Sequence, residues 1–462
     1  MTTTEFQVYR QRRQKMLEYM RRQSPNSIAY LTSAPEVMRN RDSDYPYRHD
    51  SYFYYLTGFT EPNSCLVLIA ADAPEQDQAI LFCQAKNLER EIWDGYRYGP
   101  EIACTTFGFD QAYAIDSLDQ KLPELLQNRT AIFTKLAQSE HIDGQLRRWL
   151  REVRNRARSG MQAPSCLYDI EHWLDEMRVF KDAHEIDTMR RAAHISALAH
   201  RRAMQACRPG LREYHLEAEL LHTFRNHGAQ SVAYNSIVAA GANSCVLHYR
   251  AGDAELRAGD LCLIDAGCEL DSYAADITRT FPVNGKFSAA QRELYELVLA
   301  AQTAAIEMTK PGEHFIRAHQ AAVSVLAQGM LDLGLLDTHQ VGNVEDVLNN
   351  KSYTKFYMHR TGHWLGMDVH DCGQYRGPGL TDEATHGEEL TWRKLQPGMV
   401  VTIEPGIYVR PDPTVPERYW NIGIRIEDDA LITPQGCALM SRDIPVTINE
   451  IEEIMAAARH ER

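Results

Sequence analysis

The chain has 462 residues, is 44% hydrophobic and 24% charged, and carries a formal net charge of -14. That is enough chain for two well-buried domains, and a charged fraction near the globular average excludes wholesale disorder. The acidic balance argues against general binding to nucleic acid or to an anionic membrane surface, and the longest apolar run, Cys65 to Ala71, falls far short of a membrane span.

The opening, M-T-T-T-E-F-Q-V-Y-R-Q-R-R-Q-K, has no apolar region behind its basic residues, so the cytoplasm is the expected compartment. A helix is predicted over Val8 to Arg22 and strands over Ser27 to Leu31, Cys65 to Ala71 and Ala79 to Cys83. Strands alternating with helical stretches predict a small α/β domain. The ten cysteines are scattered, mostly in apolar segments and without a C-x-x-C pair. They read as reduced core thiols. Arg147, Arg148, Arg151, Arg154, Arg156 and Arg158 read as a solvated helix face running into a connector, S-G-M-Q-A-P.

A boundary near Met177 divides the chain into an N-terminal domain, 1–177, and a C-terminal domain, 178–462. Beyond it, Asp182 and Glu185 make a capping-box pattern for a helix that ends at Pro209-Gly210. Helices are predicted over Glu213 to Asn226 and Ala289 to Thr309, the second stopped by Pro311-Gly312. Asp260 to Leu270 and Tyr273 to Val283 read as a hairpin turning at Asp271-Ser272. Met399 to Val409 and Gly423 to Thr433 read as two further strands. The expected architecture is an α+β domain with a curved antiparallel sheet and helices on one side.

Four carboxylates interrupt these strands: Asp265 in D-L-C-L-I-D-A-G, Asp276 in Y-A-A-D-I-T-R-T-F, Glu404 in V-V-T-I-E-P-G and Glu427 in G-I-R-I-E-D. A single aspartate there would read as a turn former or a solvent-facing residue. Asp265 and Asp276 on facing hairpin arms, joined by two glutamates in the same kind of context, are harder to dismiss. Buried and unpaired, four carboxylates would repel one another and resist ionisation. A pair of divalent cations removes that difficulty. His363 is a fifth candidate ligand, with His359 and His370 nearby in M-H-R-T-G-H-W-L-G-M-D-V-H-D. Gly362 and Gly366 argue against a regular helix, and the glutamate of a helical H-E-x-x-H zinc site is absent. One nitrogen among many oxygens favours a hard cation such as manganese, Mn2+, with cobalt or zinc also able to bind. Arg425 lies two residues before Glu427 on a strand, so both face one side and Arg425 can reach the carboxylates.

These segments, in this order, resemble the aminopeptidase P (Xaa-Pro aminopeptidase) family and, more broadly, the pita-bread metallopeptidases. The resemblance covers nearly the whole chain. N-R-D-S-D-Y-P-Y-R-H-D-S-Y-F-Y-Y-L-T-G-F and E-I-W-D-G-Y-R-Y-G look like aminopeptidase P in particular. L-I-D-A-G, D-I-T-R-T-F-P-V-N-G-K-F, G-H-W-L-G-M-D-V-H-D, T-I-E-P-G-I-Y and G-I-R-I-E-D-D match in the C-terminal part. The resemblance implies a pita-bread catalytic domain holding two divalent metal ions. Asp265 would chelate one metal, Asp276 and Glu427 would bridge the pair, and His363 and Glu404 would complete the second site. A hydroxide between the metals would attack, and Glu404 would shuttle its proton. His248, His359 and His370 would face the substrate and stabilise the tetrahedral intermediate. Tyr408 would join a relay through Arg425 to Asp265. Trp93 would help close the substrate site, often from another subunit, although a plain core aromatic is a fair competing reading. The implied reaction releases the N-terminal residue from peptides with proline in second position. Prolidase, which cleaves Xaa-Pro dipeptides, and a metal-free pita-bread binding module are the alternatives. The implied assembly is a homodimer or homotetramer built through the N-terminal domain. Two departures stand out. Arg360 occupies a position where the family usually has glycine. The stretch 373–396 is longer and more acidic than the family pattern and reads as a surface loop beside the site.

Overall fold

The computed structural model describes residues 5–377 and 392–460, so most of the acidic stretch, 378–391, lies outside the described residues. The chain packs as two units, Met1–Met177 and Arg178–Arg462.

The first unit is built on a six-stranded mixed sheet. Its strand order is Gln111–Ala114, Gln78–Cys83, Cys65–Ala70, Ser27–Thr32, Ala131–Thr134 and Cys166–Asp169. The central strands Ser27–Thr32 and Cys65–Ala70 run antiparallel and are buried along almost their whole length, which explains their continuous apolar sequence. Helix Glu140–Asn155 starts at Ser139, whose hydroxyl accepts from the Ile142 N–H. It buries Leu146, Trp149, Leu150 and Val153 and leaves Arg147, Arg148, Arg151 and Arg154 in solvent. Helix Ser51–Thr57 is capped by the Asp50 side chain and ends at Gly58. Gly58 has φ 64°, and a Cβ there would lie 2.6 Å from the Tyr9 ring, so only glycine fits.

Among the described residues of the second unit every strand pair is antiparallel. Helix Ala183–Ala206 opens with the reciprocal Asp182–Glu185 capping box, as its sequence predicts. It packs with helices Glu213–Asn226, Ala289–Met308 and Ile316–Asp332 against the strands, around one large apolar core. Helix Ile316–Asp332 has no predicted counterpart. It lacks a side-chain N-cap, and its Gly329 lowers helix propensity. That glycine is there for packing, because a Cβ would lie 2.2 Å from Leu297 on the neighbouring helix.

One expectation needs correction. The long strands predicted from sequence are each broken; Asp276, Glu404 and Glu427 sit at the breaks, and Asp265 is the last strand residue before one. Leu261–Asp265 pairs with Thr278–Pro282, and Cys268–Leu270 pairs with Tyr273–Ala274. The turn between them has positive φ at Asp271 (47°) and Ser272 (71°), as a two-residue type I′ hairpin requires. At the break Gly267 lets the two arms touch, since a Cβ would fall 1.7 Å from the Ala275 carbonyl oxygen. The second hairpin repeats the plan. Val400–Ile403 pairs with Asp428–Thr433, and Gly406–Val409 pairs with Ile422–Arg425. Pro405 has no N–H to continue the ladder past Glu404. Residues at a break escape strict in–out alternation, so both hairpins can turn carboxylates toward one place.

Candidate metal centre and active site

The strand breaks bring Asp265, Asp276, Glu404 and Glu427 together on the floor of a cleft of about 490 Å³. His248, His359, His363, His370 and Arg425 line the same cleft. Tyr408 is buried behind it, in hydrogen-bond contact with Arg425 and His359. Among the C-terminal residues singled out from sequence, all are therefore in or directly against one cavity. Trp93 belongs to the first unit. It lies on the short helix Leu88–Asp94, is 83% exposed, and is no core aromatic.

One donor atom each from Asp276, His363 and Glu427 fall within 4.8 Å of one another. His363 Nε2 lies 3.3 Å from Asp276 Oδ2 and 3.7 Å from Glu404 Oε1. Its Nδ1 lies 2.9 Å from the Trp364 carbonyl oxygen. A proton on Nδ1 donated to that carbonyl leaves Nε2 as the atom facing the carboxylates, the usual second-shell arrangement of a ligating histidine. The segment is held by the neighbouring strand: the His363 N–H donates to Thr402 Oγ1 and the Thr402 N–H to the His363 carbonyl. Gly362 permits this, because a Cβ would sit 2.1 Å from the Thr402 oxygen. Glu427 accepts from Thr278 Oγ1 at 2.6 Å, and its carbonyl accepts from buried Arg279 Nη1 at 2.6 Å.

Arg425 links the cluster to the histidine wall. Its Nη2 donates to Asp265 Oδ2 at 2.6 Å, and its Nη1 donates to the Tyr408 oxygen at 2.9 Å. The Tyr408 hydroxyl lies 2.8 Å from His359 Nε2, and His359 Nδ1 lies 2.8 Å from the Arg360 carbonyl. Burial and the positive charge of Arg425 push His359 down to about 3, so the ring is neutral. It then donates from Nδ1 to the Arg360 carbonyl and accepts at Nε2 from Tyr408.

The electrostatics test whether cations fit. Burial pushes Glu427 well above the ordinary carboxylate range, and the charges of Asp276, Glu404 and Asp265 push it further. Burial also lifts Glu404, to about 7. His363 is buried, which disfavours its charge, yet Asp276 and Glu404 hold it up at about 9. The cluster thus retains protons where it would otherwise concentrate negative charge. Divalent cations would take their place, and one imidazole among carboxylate oxygens is a donor set for such ions. The residues fit a metal centre.

Sequence reasoning missed three contributors. Tyr234 donates its hydroxyl into the pair Asp265–Asp276. Asp371, next to His370, is buried and gripped by Arg178 and Lys181, at 2.6 and 2.9 Å. Buried Glu213 accepts from the Ala240 and Gly252 N–H groups, Asn243 Nδ2 and the Tyr249 hydroxyl, and so pins both flanks of the turn carrying His248. The one available signal was a charged residue next to a candidate histidine, Asp371 after His370. Tyr234 and Glu213 had none.

Residues 187–434 match the family model for metallopeptidase family M24, and residues 9–133 match that of the aminopeptidase P N-terminal domain. The chain is 42% identical to Xaa-Pro aminopeptidase of Escherichia coli (strain K12), covering 98% of each. It is 31% identical to human Xaa-Pro aminopeptidase 3, covering 97% of this chain and 86% of that one. Among solved structures it resembles Pseudomonas aeruginosa aminopeptidase PepP, with 47% identity, TM-score 0.93 and coverage of 98% and 99%. It also resembles zinc-substituted Escherichia coli aminopeptidase P in complex with product, with 42% identity, TM-score 0.92 and the same coverage. The antiparallel second unit is accordingly a pita-bread domain, and the chain belongs to metallopeptidase family M24, with the aminopeptidase P N-terminal domain ahead of its catalytic domain.

Proposed function

We propose that this chain is a metal-dependent aminopeptidase that releases the N-terminal residue from peptides with proline in second position. The observation that carries the reading is the convergence of four carboxylates and His363 Nε2 in one cleft, with protons held where cations would balance the charge. Asp265, Asp276, His363, Glu404 and Glu427 would hold two divalent ions, with Asp276 and Glu427 shared between them. The oxygen-rich donor set makes manganese the expected metal. When bound, such a pair lowers the pKa of water towards about 7 and polarises the scissile carbonyl.

The chain's own residues do the rest. Glu404 has the most open side chain of the acidic ligand candidates, at 17% against 12% for Asp265 and 7% for Asp276, with Glu427 buried. It is the group placed to accept a proton from attacking water and return it to the prolyl nitrogen. Arg425 orients Asp265 and offsets part of the burial that raises its carboxyl, while tying it to Tyr408. Tyr408 in turn fixes the His359 ring. His248 and His370, exposed on the cleft wall, are available to hydrogen-bond the substrate and the developing oxyanion. An Xaa-Pro bond offers no N–H, so recognition must come from fit to the pyrrolidine ring and contacts to the carbonyl. The N-terminal domain, with Trp93 exposed, would form a homodimer or homotetramer and help close the site. Among the described residues no helix is long and apolar enough to cross a membrane. A cytoplasmic location is the working assignment.

Hydrolysis of Xaa-Pro-Xaa tripeptides after reconstitution with Mn2+ tests the reading. Release of the first residue that depends on metal is expected. No release would overturn it, and cleavage of Xaa-Pro dipeptides alone would reassign the chain as a prolidase. Elemental analysis of Asp276→Asn is expected to show loss of both ions. A variant that kept two would argue against the shared-ligand role.

A further inference from the structure

Arg360 lines the cleft but takes no part in holding the carboxylate cluster. Its backbone is fixed beside the histidine wall, because its carbonyl accepts from His359 Nδ1. Its side chain is exposed, with the guanidinium over the indole of Trp392, 4.8 Å from the ring centroid. Trp392 is only 4% exposed, so the ring is a fixed platform. The Arg376 guanidinium approaches the same ring at 4.3 Å. A planar guanidinium held over an aromatic face has lost much of its rotamer freedom yet keeps its edge N–H groups for an anion. Arg425, the other arginine of the cleft, is already committed to Asp265 and Tyr408. Among the described residues Arg360 has no carboxylate partner.

This inference rests on the aminopeptidase reading. An enzyme that removes one residue has a single residue on the N-terminal side of the scissile bond. Everything beyond proline extends away from the scissile bond, and Arg360 is an exposed side chain lining the same cleft. We propose that Arg360 selects peptides carrying a carboxylate just beyond proline. That carboxylate is either the free C-terminus of a tripeptide or an acidic side chain at the third position. Both sources offer two coplanar oxygens that match the guanidinium fork.

Four peptides separate the sources: Ala-Pro-Ala, its C-terminal amide, Ala-Pro-Glu-amide and Ala-Pro-Gln-amide. The tripeptide acid is expected to exceed its amide roughly fivefold in kcat/KM, mainly through KM, because the contact binds ground and transition states alike. If an acidic side chain also serves, Ala-Pro-Glu-amide exceeds Ala-Pro-Gln-amide similarly. Arg360→Gln is expected to bring each ratio to about one, and Arg360→Lys to keep part of it, since a point charge lacks the fork. Added salt should erode the preference in the wild type only. Calorimetric titration with Pro-Leu and Pro-Leu-amide reads the same discrimination without turnover. A chain that cleaved nothing would therefore sink the activity while the titration still judged Arg360. Equal binding of acid and amide by the wild type, or a preference that survives in Arg360→Gln, would overturn the proposal.

Discussion

The Tyr234 hydroxyl lies 2.6 Å from Oδ1 of Asp265 and 2.6 Å from Oδ1 of Asp276. One phenol therefore ties together two acidic residues that reach the site from opposite arms of a hairpin. A phenol carries a single proton, so it can donate fully to only one of them at a time. The arrangement orients both carboxylates before any cation arrives. Tyr234→Phe is expected to lower metal affinity about tenfold or more, the usual cost of losing an outer-shell partner. Titration of the metal-free protein with Mn2+ checks this independently of turnover. Unchanged affinity would mean that the carboxylates are held by other contacts.

Glu213 does for the His248 turn what Tyr234 does for the aspartates. Four donors converge on one buried carboxylate, at 2.9 to 3.1 Å. Glu213→Gln puts an amide N–H₂ against groups that already donate. We expect a loss of about 2–3 kcal/mol in unfolding free energy together with reduced kcat. Denaturant unfolding and steady-state kinetics on one preparation measure both. A variant with full kcat would sever the link to His248.

Asp371 anchors the other histidine. Its carboxylate meets Arg178 and Lys181 with all three side chains 1% exposed. Despite burial, the two cations hold it below its ordinary range. Removing one partner of a buried ion group is costly because the other charges remain, so Asp371→Asn is expected to destabilise by about 3–5 kcal/mol. Replacing Lys181 by Met in the same chain should restore part of that loss. Thermal unfolding of the single and double variants would decide, and additive losses would contradict the coupling.

Buried His200, whose Nε2 lies 2.9 Å from the Ala266 carbonyl oxygen, supplies a pH test. Burial pushes it down to about 4 from an ordinary value of about 6.5. The unfolded chain takes up its proton first as pH falls. Stability from this group is thus complete above about 6.5 and drains away between 6.5 and 4. His363 and Glu404 are raised in the metal-free protein and act in the opposite sense. The informative quantity is therefore the difference between wild type and His200→Asn. That difference should shrink across this window, and a constant difference would disprove the assignment.

How far the sequence reached can be judged residue by residue. The five acidic and histidine ligand candidates were legible because charge inside apolar runs is costly, and cost of that kind leaves a mark in one dimension. The Asp182–Glu185 cap and the Asp271-Ser272 turn were legible because both are local. The strand breaks at Ala266–Gly267 and Glu404–Pro405 were not, since an apolar run reads the same whether it continues or kinks. Arg360 could be noticed in the sequence, yet only its position over Trp392 shows that it faces the cleft. Tyr234, Glu213 and Arg178 act through partners 27 to 193 residues away. Such partners carry no trace in their own neighbourhoods, because a hydrogen bond is specified by where two segments meet. The sequence by itself determined which groups had to be neutralised. The tertiary structure alone decided which side chains hold them in place.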